Sequence, residues 1–142
     1  APARLLDLGC GSGWTSVFFA RRGYRVTGQD IAPDMIALAE RNRSEAGIAD
    51  LDFLICDYEG LGFSDEFDAA VFYDALHHAE DPGQALAGAF RGLRPGGVLV
   101  APVGGSGGQS LIKLRKDADG NIERTDLAPV VFVPLLSGVA DR

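Results

Sequence analysis

At 142 residues, 46% hydrophobic and 23% charged, the chain has the make-up of one globular domain large enough to bury a substantial core. No apolar run approaches the roughly 20 residues that cross a bilayer, and the Ala1-Pro2 start lacks the charged-then-apolar pattern of a signal segment. A formal charge of −7 argues against a nucleic-acid or anionic-membrane partner, whose phosphates call for clustered Lys and Arg.

Apolar runs alternate with helical patterns, which predicts a parallel α/β sheet. Residues 3–9 read as a strand buried on both faces. A helix is predicted over 12–22, with Trp14, Val17, Phe18 and Arg21 as its packing stripe and Gly23 as its stop. Residues 24–30 form a second strand. Pro33 suits the first position of a helix reaching about Ala46, with Met35, Leu38 and Ala39 toward the core. A third strand spans 51–57 and a fourth 67–74. Asp81 and Pro82 make an N-cap and first-turn pair for a helix lined by Leu86, Ala89, Phe90 and Leu93. A turn at 94–97 leads into a fifth strand, 98–103.

Beyond that strand no helix is predicted. A glycine-serine run, 104–108, precedes two more strands, 110–116 and 129–135, whose short polar connection favours antiparallel pairing. The expected fold class is α/β: a doubly wound Rossmann-like sheet of five parallel strands with helices, plus a C-terminal antiparallel strand pair, in a single domain over 1–142. Cys10 and Cys56 each end an apolar run, with no CxxC or metal-type spacing. Buried, reduced thiols and a cytoplasmic setting are expected, with no metal.

The stretch that carries chemistry follows the first strand. Glycines at 9, 11 and 13 allow a sharp strand-to-helix turn, let a ligand approach bare backbone, and suit a carboxylate or phosphate at the helix N-terminus. A G-x-G-x-x-G dinucleotide fingerprint would need its third glycine at 14, where Trp14 stands. Asp30 closes the second strand about 20 residues further on, where an acceptor-only carboxylate can take both hydroxyls of a ribose. Asp57 closes the third strand, where a carboxylate can accept an adenine amino group.

Leu5-Leu6-Asp7-Leu8-Gly9-Cys10-Gly11-Ser12-Gly13 resembles the first motif of class I S-adenosylmethionine-dependent methyltransferases. The resemblance implies the methyltransferase form of the Rossmann-like sheet and S-adenosyl-L-methionine as cofactor. It implies further that Gly9, Cys10, Gly11 and Gly13 form the cofactor loop and that Asp7 orients the methionine end. Asp30 would bind the ribose, Ile31 pack on the adenine, and Asp57 and Tyr58 flank it, with Tyr73 at the end of the fourth strand. Ala32 departs from the family in standing where a capping Ser is usual.

Residues 26–36 and 67–78 resemble generic small-molecule members. Residues 95–105, 109–111 and 131–135 are similar to the end of protein-L-isoaspartate O-methyltransferases. Two such halves suggest a mosaic, natural or constructed, with a seam in 95–103; a single natural relative matching end to end would remove it. Near the fourth strand's carboxyl end, His77 and Asp74 are the catalytic candidates and His78 a weaker one, each readable instead as an ordinary loop residue. A carboxylate acceptor needs no base, whereas an amine, hydroxyl or thiol can.

With nothing before Ala1 and no long later insertion, the domain is expected to lack N-terminal lid helices. The first reading is a methyltransferase acting on an unidentified acceptor, a small metabolite favoured. Its alternatives are protein-L-isoaspartate O-methyltransferase and a cofactor-binding fold without activity, while Trp14 disfavours an NAD-type oxidoreductase. The partner is a small-molecule or peptide methyl acceptor, without nucleic acid or membrane, and the oligomeric state stays open.

Overall fold

The computed structural model describes residues 2–72, 80–105 and 108–130. Seven strands form one sheet in the order β3-β2-β1-β4-β5-β6-β7. Its parallel part comprises β1 (Arg4–Leu8), β2 (Arg25–Asp30), β3 (Leu51–Ile55), β4 (Phe67–Phe72) and β5 (Leu93–Gly105). Helices α1 (Trp14–Ala20), α2 (Pro33–Ala46) and α3 (Pro82–Arg91) connect them. The chain winds outward from β1 to β3, then restarts at β4 on the other side of β1. Ligands in such sheets bind beyond the strand carboxyl ends at that switch.

Each face of the sheet has its own core. Leu6, Leu8, Phe67, Phe72, Leu93 and Leu99 pack with Ala85 and Ala89 of α3. On the other face Leu5, Val26 and Leu51 meet Val17, Phe19 and Phe53. The predicted start signals hold for two helices. Pro33 opens α2, Gly47 ends it in the left-handed conformation (φ 69°), and Asp81 caps α3 by accepting from the Gln84 amide at 3.1 Å.

Helix α1 is shorter than the predicted 12–22, and its packing face differs. Thr15 and Ser16 are buried, whereas Trp14 is 56% and Phe18 43% exposed. Arg22 lies over the Phe18 ring instead, 3.5 Å from its centroid. The apolar stripe lost to a polar requirement: Asp7 is buried beneath α1 and needs hydroxyl donors, so the helix turns Thr15 and Ser16 toward the sheet.

The C-terminal ribbon also departs from expectation. β6 (Gly108–Lys116) pairs antiparallel with β5, and β7 (Ile122–Val130) antiparallel with β6. The last strand therefore begins at Ile122 and not at residue 129; residues 131–135 lie outside those described. A turn sets this register, because Asp117 Oδ1 accepts from the amides of Asp119 (2.9 Å) and Asn121 (2.8 Å). Residues 122–129 are exposed, so hydrophobic patterning had no hold on them. Residues 94–97, predicted as a turn, bulge within β5: the register steps from Phe67↔Leu93 to Ala69↔Val98.

Lys116 ties the ribbon to the domain. Its ammonium donates to the carbonyl of Leu93 (2.6 Å) and to Asp65 Oδ1 (3.1 Å), with only 10% of the side chain exposed. Lys116→Met keeps the stem but leaves the Leu93 carbonyl without this partner. The expected loss is about 1–3 kcal/mol, read as a lower urea midpoint. An unchanged midpoint would mean that the lysine contributes nothing net.

Candidate functional site

Side chains alternate along β1, so Leu6 and Leu8 enter the α3-side core while Leu5 and Asp7 face α1. Asp7 occupies a slot that patterning would give to an apolar residue, and it is 1% exposed. Its Oδ2 accepts from Thr15 Oγ1 at 2.6 Å and from Ser16 Oγ at 2.7 Å. Its Oδ1 is buried and has no hydrogen-bond partner. Burial pushes the Asp7 carboxyl up from 3.8 to about 6, while the two hydroxyl bonds pull it the other way.

The glycine loop follows directly. Gly9, Gly11 and Gly13 all have positive φ (69°, 55° and 83°), which is why glycine is needed at each. Gly13 is also required by contact, since an added Cβ would sit 2.9 Å from Ala39 Cβ. The loop does not offer the free amide cradle expected from the sequence. Gly9 N donates to Gln29 Oε1 (3.1 Å), Cys10 N to Gln29 O (2.8 Å), Gly11 N to Asp30 Oδ2 (2.9 Å) and Gly13 N to Cys10 O (2.9 Å). Four of its amides are thus already spent inside the protein, which leaves a poor seat for a pyrophosphate.

Asp30, at the end of β2, accepts from Gly11 N through Oδ2 and from Ala32 N (3.0 Å) through Oδ1. The second bond serves the helix start that Ala32 cannot cap. A carboxylate has about four acceptor positions, so two of Asp30's remain for ligand hydroxyls. Ile31 follows it and is 67% exposed, a bare apolar surface beside that carboxylate. Asp57 caps a short 3₁₀ turn, Tyr58–Gly60, by accepting from Gly60 N at 2.6 Å. The Tyr58 ring meets Phe72 edge-on at 5.5 Å. Burial first, then the nearby Asp30 and Asp7 carboxylates, pushes its phenol up to about 12. Cys10 is likewise buried, and desolvation followed by the same two carboxylates raises its thiol to about 12, so it is no nucleophile. Cys56 is a free, half-buried thiol, also raised by burial.

Sequence reasoning missed three residues, Gln29, Thr15 and Ser16. Gln29 is 2% exposed; its carboxamide accepts from Gly9 N and donates to the Cys56 carbonyl, lacing the ends of β1, β2 and β3 together. A carboxamide directly before Asp30 at the end of β2 was the available signal. Thr15 and Ser16 were missed because the helical stripe placed Trp14 and Phe18 inward. Tyr73, Asp74, His77 and His78 lie outside the described residues.

Among the described residues, no ion pair involves Asp7, Asp30 or Asp57. The carboxyl edge therefore carries acceptors and a negative field, with the exposed Ile31 next to Asp30 in the chain. Such a site suits a ligand bearing cations, vicinal hydroxyls and an aromatic ring. The orphaned Asp7 Oδ1 and the free acceptor positions of Asp30 fit S-adenosylmethionine.

Fold and site together define the S-adenosylmethionine-dependent methyltransferase class. A family model described as "Methyltransferase domain" matches residues 6–101, and the chain belongs to that family. Over 141 residues it is 37% identical to a protein-L-isoaspartate O-methyltransferase of Stenotrophomonas maltophilia strain K279a, covering 99% of this chain and 60% of that protein. A namesake from Xanthomonas axonopodis pv. citri is also 37% identical, over 141 residues, with the same coverage. The chain thus spans about 60% of the length of these curated relatives. Because one natural relative matches across residues 95–103 and on both sides of them, no mosaic seam is needed.

Solved structures give the same fold. Phosphoethanolamine N-methyltransferase 2 of Haemonchus contortus, complexed with phosphomonomethylethanolamine and S-adenosylhomocysteine, superimposes with a TM-score of 0.68. It is 27% identical, with 72% of this chain and 24% of that one covered. The [4+2]-cyclase SpnF, at 31% identity and the same TM-score, covers 72% of this chain and 39% of its own. One fold thus carries different activities, and the site has to argue the function.

Proposed function

We propose that this domain binds S-adenosylmethionine and transfers its methyl group to a carboxylate acceptor, an isoaspartyl peptide. The observation that carries the cofactor half is the buried, unpartnered Asp7 Oδ1 beside an Asp30 with acceptor positions to spare. When bound, the cofactor supplies a methyl group already activated by the positive sulfur that carries it. Asp7 holds the cationic amino-acid end, Asp30 the ribose hydroxyls, and Ile31, Asp57 and Tyr58 the adenine. The loop of Gly9, Cys10, Gly11 and Gly13 lets the ligand lie close to backbone. The protein's remaining task is alignment, since an ionised carboxylate acceptor has no proton to lose.

Supporting that acceptor is the identity to isoaspartate methyltransferases, which extends over the whole chain and includes the antiparallel ribbon. A small-metabolite acceptor is the second reading, supported by the general methyltransferase model over residues 6–101. There His77 would act as the base, with Asp74 and Tyr73 beside the acceptor.

Calorimetric titration with S-adenosylmethionine, S-adenosylhomocysteine and NAD tests the cofactor. Heat is expected for the two sulfur ligands only, and Asp30→Ala is expected to weaken both roughly 10- to 100-fold, the worth of hydrogen bonds to a charged group. No heat from either sulfur ligand sinks the proposal. Transfer of labelled methyl to a metabolite pool but not to isoaspartyl peptide decides for the second reading.

A further inference from the structure

Two hydroxyls on α1 have no part in the roles assigned so far, yet both converge on one carboxylate oxygen. We propose that Thr15 and Ser16 are positioning residues for the cofactor: they clamp Asp7 Oδ2 so that Oδ1 is held as the acceptor for the ligand's ammonium group. The inference rests on the cofactor reading above and assigns residues on which that reading does not depend.

The geometry is specific. Both donors reach the same oxygen, at 2.6 and 2.7 Å, and leave the other buried and bare. A carboxylate held only for stability would more usefully share its donors between its two oxygens. The neighbouring backbone is shaped to admit one of the clamps. A Cβ on Gly28 of β2 would stand 2.7 Å from Ser16 Oγ and 2.8 Å from the Phe53 ring, so glycine there clears the space that Ser16 occupies. The arrangement also fixes the helix: α1 exposes Trp14 and Phe18 as the consequence of turning Thr15 and Ser16 inward.

The surroundings select the sign of the ligand group. Cys10 and Tyr58 sense the Asp7 charge, and both also sense Asp30; both are held in their neutral forms. Itself part of a carboxylate, with the Asp30 carboxylate and two neutral groups nearby, the bare oxygen favours a cationic N–H donor over the cofactor's own carboxylate. Each hydroxyl bond also favours the ionised form of Asp7 against the cost of burial, so the clamp keeps the acceptor charged as well as aimed.

The test compares S-adenosylhomocysteine with 5′-methylthioadenosine, which has the adenosine and thioether but no amino-acid end. Titration calorimetry at pH 7.5 is run on the wild type, Thr15→Val, Thr15→Ser and Ser16→Ala. Thr15→Val and Ser16→Ala are each expected to weaken S-adenosylhomocysteine about tenfold and leave 5′-methylthioadenosine within twofold, with Thr15→Ser close to wild type. In the ligand-free protein the Asp7 carboxyl resonance should titrate at higher pH in Thr15→Val and Ser16→Ala. Equal weakening of both ligands would reduce the hydroxyls to a structural role and overturn the proposal. So would unchanged affinity for S-adenosylhomocysteine in both variants. A wild type that binds neither ligand overturns the cofactor reading first and this proposal with it.

Discussion

Gly13→Ala is expected to destabilise the domain by about 2–5 kcal/mol. A left-handed backbone costs an L-residue roughly 1–2 kcal/mol, and φ at Gly13 is 83°. Overpacking adds about 1–3 kcal/mol, because the new methyl would lie 2.9 Å from Ala39 Cβ and 3.1 Å from Phe53 Cζ. Ala39 has no side chain to swing away, and its Cα would itself stand 3.3 Å from the new methyl, so α2 would have to shift. Gly11→Ala is the control. It has φ 55°, but its nearest neighbour would be the flexible end of Met35 at 3.9 Å, so only the backbone term of about 1–2 kcal/mol applies. Urea midpoints of the two variants separate strain from contact. Equal losses would show that the approach of α2 to the loop does not constrain position 13.

Asp7→Asn is expected to stabilise the ligand-free protein at pH 7 while impairing the site. The Asp7 carboxyl titrates near its ordinary 3.8 when unfolded and at about 6 when folded. Between those values the folded state holds the extra proton. The stability contributed by this group is complete below about pH 4 and is lost as pH rises through 6, a change of about 3 kcal/mol by pH 7. Asparagine cannot ionise and so does not incur that loss. The variant should therefore gain about 1–3 kcal/mol at pH 7 and show a flatter pH dependence between 4 and 7, measured by urea unfolding across that range. S-adenosylmethionine affinity should fall at least tenfold, since a neutral amide replaces the charged acceptor. A variant less stable than wild type at pH 7, with an unaltered pH slope, would mean that Asp7 is not held ionised against its burial. Loss of stability for the sake of a site is a common trade in such positions.

Both effects come from the contest between apolar patterning and one buried charge. In α1 the periodicity of Trp14, Val17, Phe18 and Arg21 is a sound amphipathic signal, but only Val17 of its apolar members packs on the core, while Trp14 and Phe18 are exposed. Periodicity weighs burial of apolar area, worth up to a few kcal/mol per side chain. It has no means of registering that a carboxylate on another element must find donors, and an unpaired buried charge costs more than an exposed Phe. The helix accordingly follows Asp7. In β7 the pattern failed for the opposite reason: no face is buried, so local turn chemistry at Asp117 decided the register.

The glycine spacing at 9, 11 and 13, the acids closing β2 and β3, and the alternation of strand and helix were all legible in the sequence. Each is a local property: a glycine where φ must be positive, a proline at a helix start, a short polar residue at a strand end. These determined the doubly wound class and the place of the candidate site, while Trp14 only disfavoured a dinucleotide. Only the tertiary structure decided how the loop's hydrogen bonds are spent. Gln29 reaches across two strands to Gly9 and Cys56, Asp30 turns back on Gly11, and Thr15 with Ser16 closes on Asp7. Those bonds join residues distant in sequence, and a hydrogen bond leaves no periodic trace in the chain that makes it. They turn a stretch that reads as an anion-binding turn into a site whose unsatisfied atoms are acceptors, ready for a cation.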